Sequence, residues 1–138
     1  MDWTANYITA PFLSRGRTLN GIDCWGLVRL IYANELGITL PSYGEISAND
    51  LRNVALNISA GKDGEEWIEV KAHERHEFDI CVMKFYGSSH IGHVGVVTPN
   101  KSIIHVEAGI DVCIVPPDLW TMRERVACYR RHKLTAKF

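Results

Sequence analysis

The chain has 138 residues, 46% of them hydrophobic, with fifteen basic against sixteen acidic side chains. That length fits a single domain spanning 1–138 around one core. The near-zero charge balance gives no broad electrostatic footprint for nucleic acid, and no apolar run is long enough for membrane insertion.

In chain order, the start MDWTANYITA carries acidic and polar residues where an export signal needs a basic and then an apolar stretch, so the chain reads as made in the cytoplasm. Over 24–36, Leu27, Val28, Leu30, Ile31, Tyr32 and Leu36 recur at helical spacing, with Gly37 and then Pro41 as a stop. Asp23 or Asn20 caps its start. A second, weaker helix fits 49–59, where Leu51, Val54, Ala55 and Ile58 share a face before Gly61. Residues 61–77 are polar and show no clear pattern. Beyond them come FDICVMKF, IGHVGVV, SIIHVEA, DVCIV and RVACYRR, separated by the turn formers GSS, TPNK, AGI and PPD. This predicts a meander of about five strands. Helices first and strands afterwards give an α+β domain, with N-terminal helices packed on an antiparallel sheet. The gaps between strands are too short for the helices of a doubly wound fold. The cluster Arg123, Arg125, Arg130, Arg131 and Lys133 near the end reads as a solvated strand face and polar tail.

Four cysteines, Cys24, Cys81, Cys113 and Cys128, lie without CxxC pairing, and the last three fall in strand-like runs as small core residues. They are expected as free thiols. Cys24 differs, because it opens the best helix. Unpaired N–H groups and the positive end of the dipole favour an anion there, which predicts a depressed thiol pKa and a reactive sulfur. Gly26, in the first turn, permits a close approach by substrate or strand.

A cysteine nucleophile needs a base, and the base needs a partner that orients it. His93 and His105 lie twelve residues apart on consecutive predicted strands joined by a turn at Pro99, Asn100 and Lys101. Strand alternation across an odd-numbered loop places both imidazoles on one sheet face, directly or diagonally opposed. His93 then accepts the thiol proton while His105 fixes its tautomer. His90 has the opposite parity and reads as a loop residue. His73, His76, His90, His93, His105 and Cys81 are zinc-capable, but HERH is not HExxH. No metal and no cofactor is expected.

The string GIDCWGLVRLIY resembles the nucleophile motif of the NlpC/P60 cysteine peptidases. HVGVV resembles that family's base strand and IIHVEAG its third-residue strand. PFLSRGRTLNGIDCWG, ELGITLPSY and the tail from VPPDLW through ACYRRH resemble the phage tail-associated branch. The resemblance implies a papain-like NlpC/P60 fold in which Cys24 is the nucleophile, His93 the base and acid, and His105 the orienting residue. Asp23 and Trp25 are implied as substrate-binding or helix-start support. The implied substrate is a peptidoglycan stem peptide, cut at a D-glutamyl–diamino acid amide. The implied setting is a phage tail, with tip or hub proteins as partners and the virion as destination.

Two residues depart from the family's pattern. Phe12 stands where bacterial members commonly carry a tyrosine whose hydroxyl assists near the cysteine, which leaves the backbone N–H of Cys24 and another donor, with Tyr7 as a candidate, for oxyanion stabilisation. Trp25 replaces a small serine. A catalytically degenerate structural or plug component of a tail tip is therefore the alternative reading, since fold alone does not establish chemistry.

Overall fold

The computed structural model describes residues 2–41 and 67–135. The helix expected over 49–59 lies outside them.

The chain opens with a short 3-10 turn, Trp3–Asn6, and a small hairpin, β1 (Arg17–Thr18) and β2 (Gly21–Ile22). Helix α1 (Cys24–Ile31) follows at once and runs into a π-helical turn, Tyr32–Leu36, which Gly37 ends in the left-handed conformation (φ 67°). Glycine accepts that conformation without a Cβ clash. The expected helix is thus real, with its last stretch widened into a π turn. Asp23 is the cap: its side chain accepts from the Gly26 N–H at 2.7 Å.

The remaining strands are β3 (Trp67–Val70), β4 (Ile80–Lys84), β5 (Ile91–Val97), β6 (Ile103–Glu107), β7 (Ile110–Val115) and β8 (Val126–His132), with a single helical turn, α2 (Trp120–Arg123), before the last. They form one sheet of order β3-β8-β4-β5-β6-β7, antiparallel at each junction. The five expected strands are all present. The sixth, β3, comes from the polar stretch 61–77, where WIEV offers only Trp67 and Val70 to the interior. Two inward residues around exposed Ile68 and Glu69 are too few for a period-2 signal.

Alternation along the strands divides the core. Ile80, Val82, Val94, Val96, Ile104 and Val106 pack with Leu27, Val28, Ile31 and Tyr32 of the helical layer. Their neighbours Cys81, Met83, Val97 and Ile103 turn the other way and join Val70, Met122 and Tyr129 in a smaller cluster. All four cysteines are free thiols.

Ion pairs tie neighbouring strands of the sheet together. Arg131 on β8 donates to both oxygens of buried Asp79 at 2.8 and 2.9 Å, and Arg130 lies 3.7 Å from Glu69 across the β3–β8 pair. Arg125 is buried. The C-terminal basic cluster is therefore not a uniformly solvated face: carboxylates on neighbouring elements draw Arg131 and Arg125 inward, Arg125 to a buried position, and charge spacing in sequence does not reveal that.

Gly26 does permit a close approach, and the approaching group is the chain itself. A Cβ there would lie 2.3 Å from the Gly16 carbonyl oxygen, so the loop before β1 passes against the first turn of α1. Gly26→Ala is expected to destabilise the fold by about 1–3 kcal/mol, the usual cost of overpacking, seen as a lowered midpoint in urea unfolding. A midpoint equal to wild type would show that this loop can withdraw at no cost.

Candidate active site

The site begins with a fully buried carboxylate. Asp23 caps α1 through Oδ1, which also accepts from Arg17 at 2.8 Å, while Oδ2 accepts from the Arg15 backbone N–H at 3.1 Å. Asp23 is 0% exposed and supports the helix start. Its two oxygens are spent on the chain, so the substrate-binding role implied for it is not what its contacts serve. Trp25 is likewise buried, its Nε1 donating to the Pro41 carbonyl at 2.8 Å. It packs in the core, apart from the cavity beside Cys24.

That cap places Cys24 at the helix start, with the backbone N–H groups of Val94 and Trp25 bonded toward its sulfur. Val94 is the neighbour of His93 on β5. Cys24 and His93 line one cavity of about 550 Å³ together with Phe12, Tyr86, Glu107 and Ile110. Most of that lining is apolar, as expected of a site that excludes water from a reacting carbonyl.

The two histidines meet as strand parity predicts. The β5–β6 register pairs Val97 with Ile103 and Val96 with Ile104. Continuing it sets His105 diagonally to His93 and Glu107 opposite it. His93 Nε2 lies 2.9 Å from His105 Nδ1, both rings buried. If Nε2–H of His93 is the donor, its Nδ1 carries the free lone pair. His90 is an exposed loop residue, also as expected.

Two residues at the site gave no separate signal in sequence. Glu107 Oε2 is 3.9 Å from His93 Nε2, and both Glu107 oxygens accept from the Arg125 guanidinium at 2.8 Å. Arg125 in turn donates to the Lys84 carbonyl from Nε and Nη2 at 3.1 and 3.0 Å. Glu107 shares the parity of His105, two residues on. That relation is the one sequence feature that points to it.

Tyr7 is no oxyanion donor: it is buried and gives its hydroxyl to Glu35 at 2.6 Å. In the first turn of α1 the Gly26 N–H is taken by Asp23, the Leu27 N–H by the Asp23 carbonyl and the Trp25 N–H by the Cys24 sulfur, so the backbone N–H of Cys24 is the candidate donor there.

His93, His105 and Glu107 bring potential ligand atoms within 4.8 Å of one another, the one such cluster among the described residues. The set does not fit a cation well. The ring nitrogens face each other at hydrogen-bond distance, and Arg125 already supplies the positive charge on both Glu107 oxygens. His73 and His76 are exposed, and Cys81 is buried in the other cluster. A second groove of about 640 Å³, against β8, contains Cys128 but no histidine to serve as its base.

Electrostatics correct one expectation. Burial, with the Asp23 charge adding, pushes the Cys24 thiol up to about 12. Burial, with His105 and Arg125 adding against Glu107, pushes His93 down to about 3. Desolvation outweighs the helix dipole, so the resting pair is a neutral thiol beside a neutral imidazole.

The sequence matches the NlpC/P60 family over residues 9–131. The chain belongs to this family. Its members are typically cysteine peptidases acting on peptidoglycan. Solved structures agree in fold. An NlpC/P60 family protein from Bacillus cereus superposes at TM-score 0.65 with 22% identity, covering 91% of this chain and 36% of that one. An NLP/P60 family protein similar to a lipoprotein, from Staphylococcus aureus, gives 0.64 and 19%, covering 93% and 38%. The NlpC/p60 domain of the peptidoglycan hydrolase SagA gives 0.58 and 18%, covering 92% and 90%. The chain thus spans little more than a third of the first two. No curated protein matches it.

Because His93 is held neutral with a folded-state pKa near 3 against 6.5 when free, the unfolded chain binds the extra proton between those values. The stability this contributes is present above pH 6.5 and lost as pH falls toward 3. The melting temperature is expected to drop across that window, and less steeply in His93→Gln. Parallel profiles for the two proteins would contradict the assignment.

Proposed function

We propose that this protein is a cysteine peptidase that hydrolyses an amide bond of the peptidoglycan stem peptide, of the D-glutamyl–diamino acid type, through a thioester on Cys24. The observation that carries the reading is the shared cavity of Cys24 and His93, with His93 Nε2 tied to His105. The family supports hydrolysis of peptidoglycan, and SagA, named a peptidoglycan hydrolase, has this fold over nearly its whole domain.

The chemistry follows from the neutral resting pair. With Nε2 bonded to His105, Nδ1 of His93 is the nitrogen left for the thiol. Proton transfer from sulfur to Nδ1 accompanies attack on the scissile carbonyl, because neither ion is stable alone in this cavity. The S–C bond forms and the carbonyl oxygen takes up negative charge, met by the backbone N–H of Cys24 at the start of α1. The C–N bond then breaks as His93 returns the proton to the leaving amine. Water, deprotonated by His93, cleaves the thioester and restores the thiol.

Digestion of purified peptidoglycan by wild type and Cys24→Ala, with products identified by mass, tests this directly. The expected outcome is a new stem-peptide amine with wild type and none with the variant. His93→Ala should fall comparably, about a hundredfold or more, whereas His105→Ala should fall less, because water can replace an orienting partner. Unchanged peptidoglycan after wild-type treatment would instead favour the degenerate tail component.

Association with a phage tail is the second part of the proposal, resting on the likeness of PFLSRGRTLNGIDCWG, ELGITLPSY and the C-terminal tail to that branch. In that setting tail-tip or hub proteins are the partners and the enzyme opens the wall locally during genome entry. Mass spectrometry of purified particles should find the chain there, and its absence from particles would end this part.

A further inference from the structure

We propose that Glu107, clamped by Arg125, is a positioning residue that acts on Cys24 through His93, supplying the counter-charge for the imidazolium formed when His93 takes the thiol proton. The inference rests on the peptidase reading of Cys24 and His93.

His105 orients His93, but a neutral imidazole supplies no charge. His93 is only 4% exposed, and an imidazolium there has lost most of its hydration, so forming it without a nearby anion is costly. Glu107 is the carboxylate in range, 3.9 Å from Nε2. The other anion at the site, Asp23, is turned to Gly26, Arg15 and Arg17. The groups facing His93 are thus Cys24 from α1, His105 and Glu107 from β6 and, behind Glu107, Arg125 from the lead-in to β8; Lys84 on β4 meets this group through its carbonyl.

Arg125 gives the arrangement its particular form. A lone carboxylate beside two histidines is free to rotate onto Nε2 and take the bond that His105 holds. The bidentate fork occupies both oxygens, and the Lys84 carbonyl fixes the fork. Glu107 then stays ionised and just beyond hydrogen-bond reach, where it acts by charge while His105 keeps the directional bond.

A purely structural role, in which the ion pair only anchors β6 to the chain before β8, makes the opposite prediction for two variants. Glu107→Gln keeps the side-chain shape and removes the charge; Glu107→Asp keeps the charge and spoils the fork. The readout is the alkylation rate of Cys24 by iodoacetamide against pH, followed by mass on the Cys24 peptide so that Cys113 and Cys128 do not intrude. For a positioning role, Glu107→Gln reacts about tenfold more slowly than wild type near neutral pH, and its profile moves up by about one pH unit. Glu107→Asp lies between Gln and wild type. In a His93→Ala background the Gln change has no further effect. Should Glu107→Gln fold poorly because Arg125 is left buried without its partner, Glu107→Gln with Arg125→Met removes both charges, and its rate still stays below wild type at matched stability.

A Gln variant as fast as wild type, or a Gln effect that persists without His93, overturns the proposal. The assay needs no peptidoglycan. Failure of wild type to cleave the wall would sink the peptidase reading and leave this ordering of rates to be judged separately.

Discussion

The placement of Cys24 depends on one buried carboxylate. Asp23 has no contact with solvent, and its two oxygens are claimed by three donors: the Gly26 N–H in the helix and the Arg17 guanidinium on β1 at Oδ1, and the Arg15 N–H in the preceding loop at Oδ2. A buried charge left without such partners is costly enough to unfold a small domain. The same constraint that makes the loop and helix start inseparable therefore fixes where the sulfur sits. Gly26 belongs to it as well, since only a missing Cβ lets the Gly16 carbonyl pass.

Carboxylates inside the fold recur as a device. Asp79 receives Arg131, and Glu107 receives Arg125. Each arginine belongs to β8 or its lead-in, so the last strand is fastened both by its ladder with β3 and β4 and by forked side chains at two levels. These pairs give orientation more than net stability, because desolvation offsets much of the attraction. Orientation is what the role proposed for His93 requires.

The cavity beside Cys24 is mostly apolar, and the burial of Cys24 and His93 against it decides the resting charge state. A helix N-terminus favours a thiolate by a modest amount, whereas complete burial disfavours it by far more. On the proposed mechanism, the reactive ion pair is thus formed during the reaction and not stored beforehand, and the competence of the site depends on what steadies the imidazolium as it forms.

The sequence by itself determined the α+β class, the cap and stop of α1, five strands and the meeting of His93 with His105, because each is written in short-range periodicity or in the parity of a hairpin. It also carried the family motifs around Cys24. The edge strand β3 was not legible, since only two of its residues face inward. Nor was the role of Arg125, which in sequence is one more basic residue among several and becomes an interior clamp only because β4, β6 and the lead-in to β8 converge on it. Trp25 and Tyr7 illustrate the same limit: proximity in sequence placed them near the chemistry, and packing took one into the core against Pro41 and the other onto Glu35. The state of Cys24 was decided only by tertiary structure. A helix start is a local feature, but desolvation depends on every element that closes over the sulfur, and it outweighs the dipole.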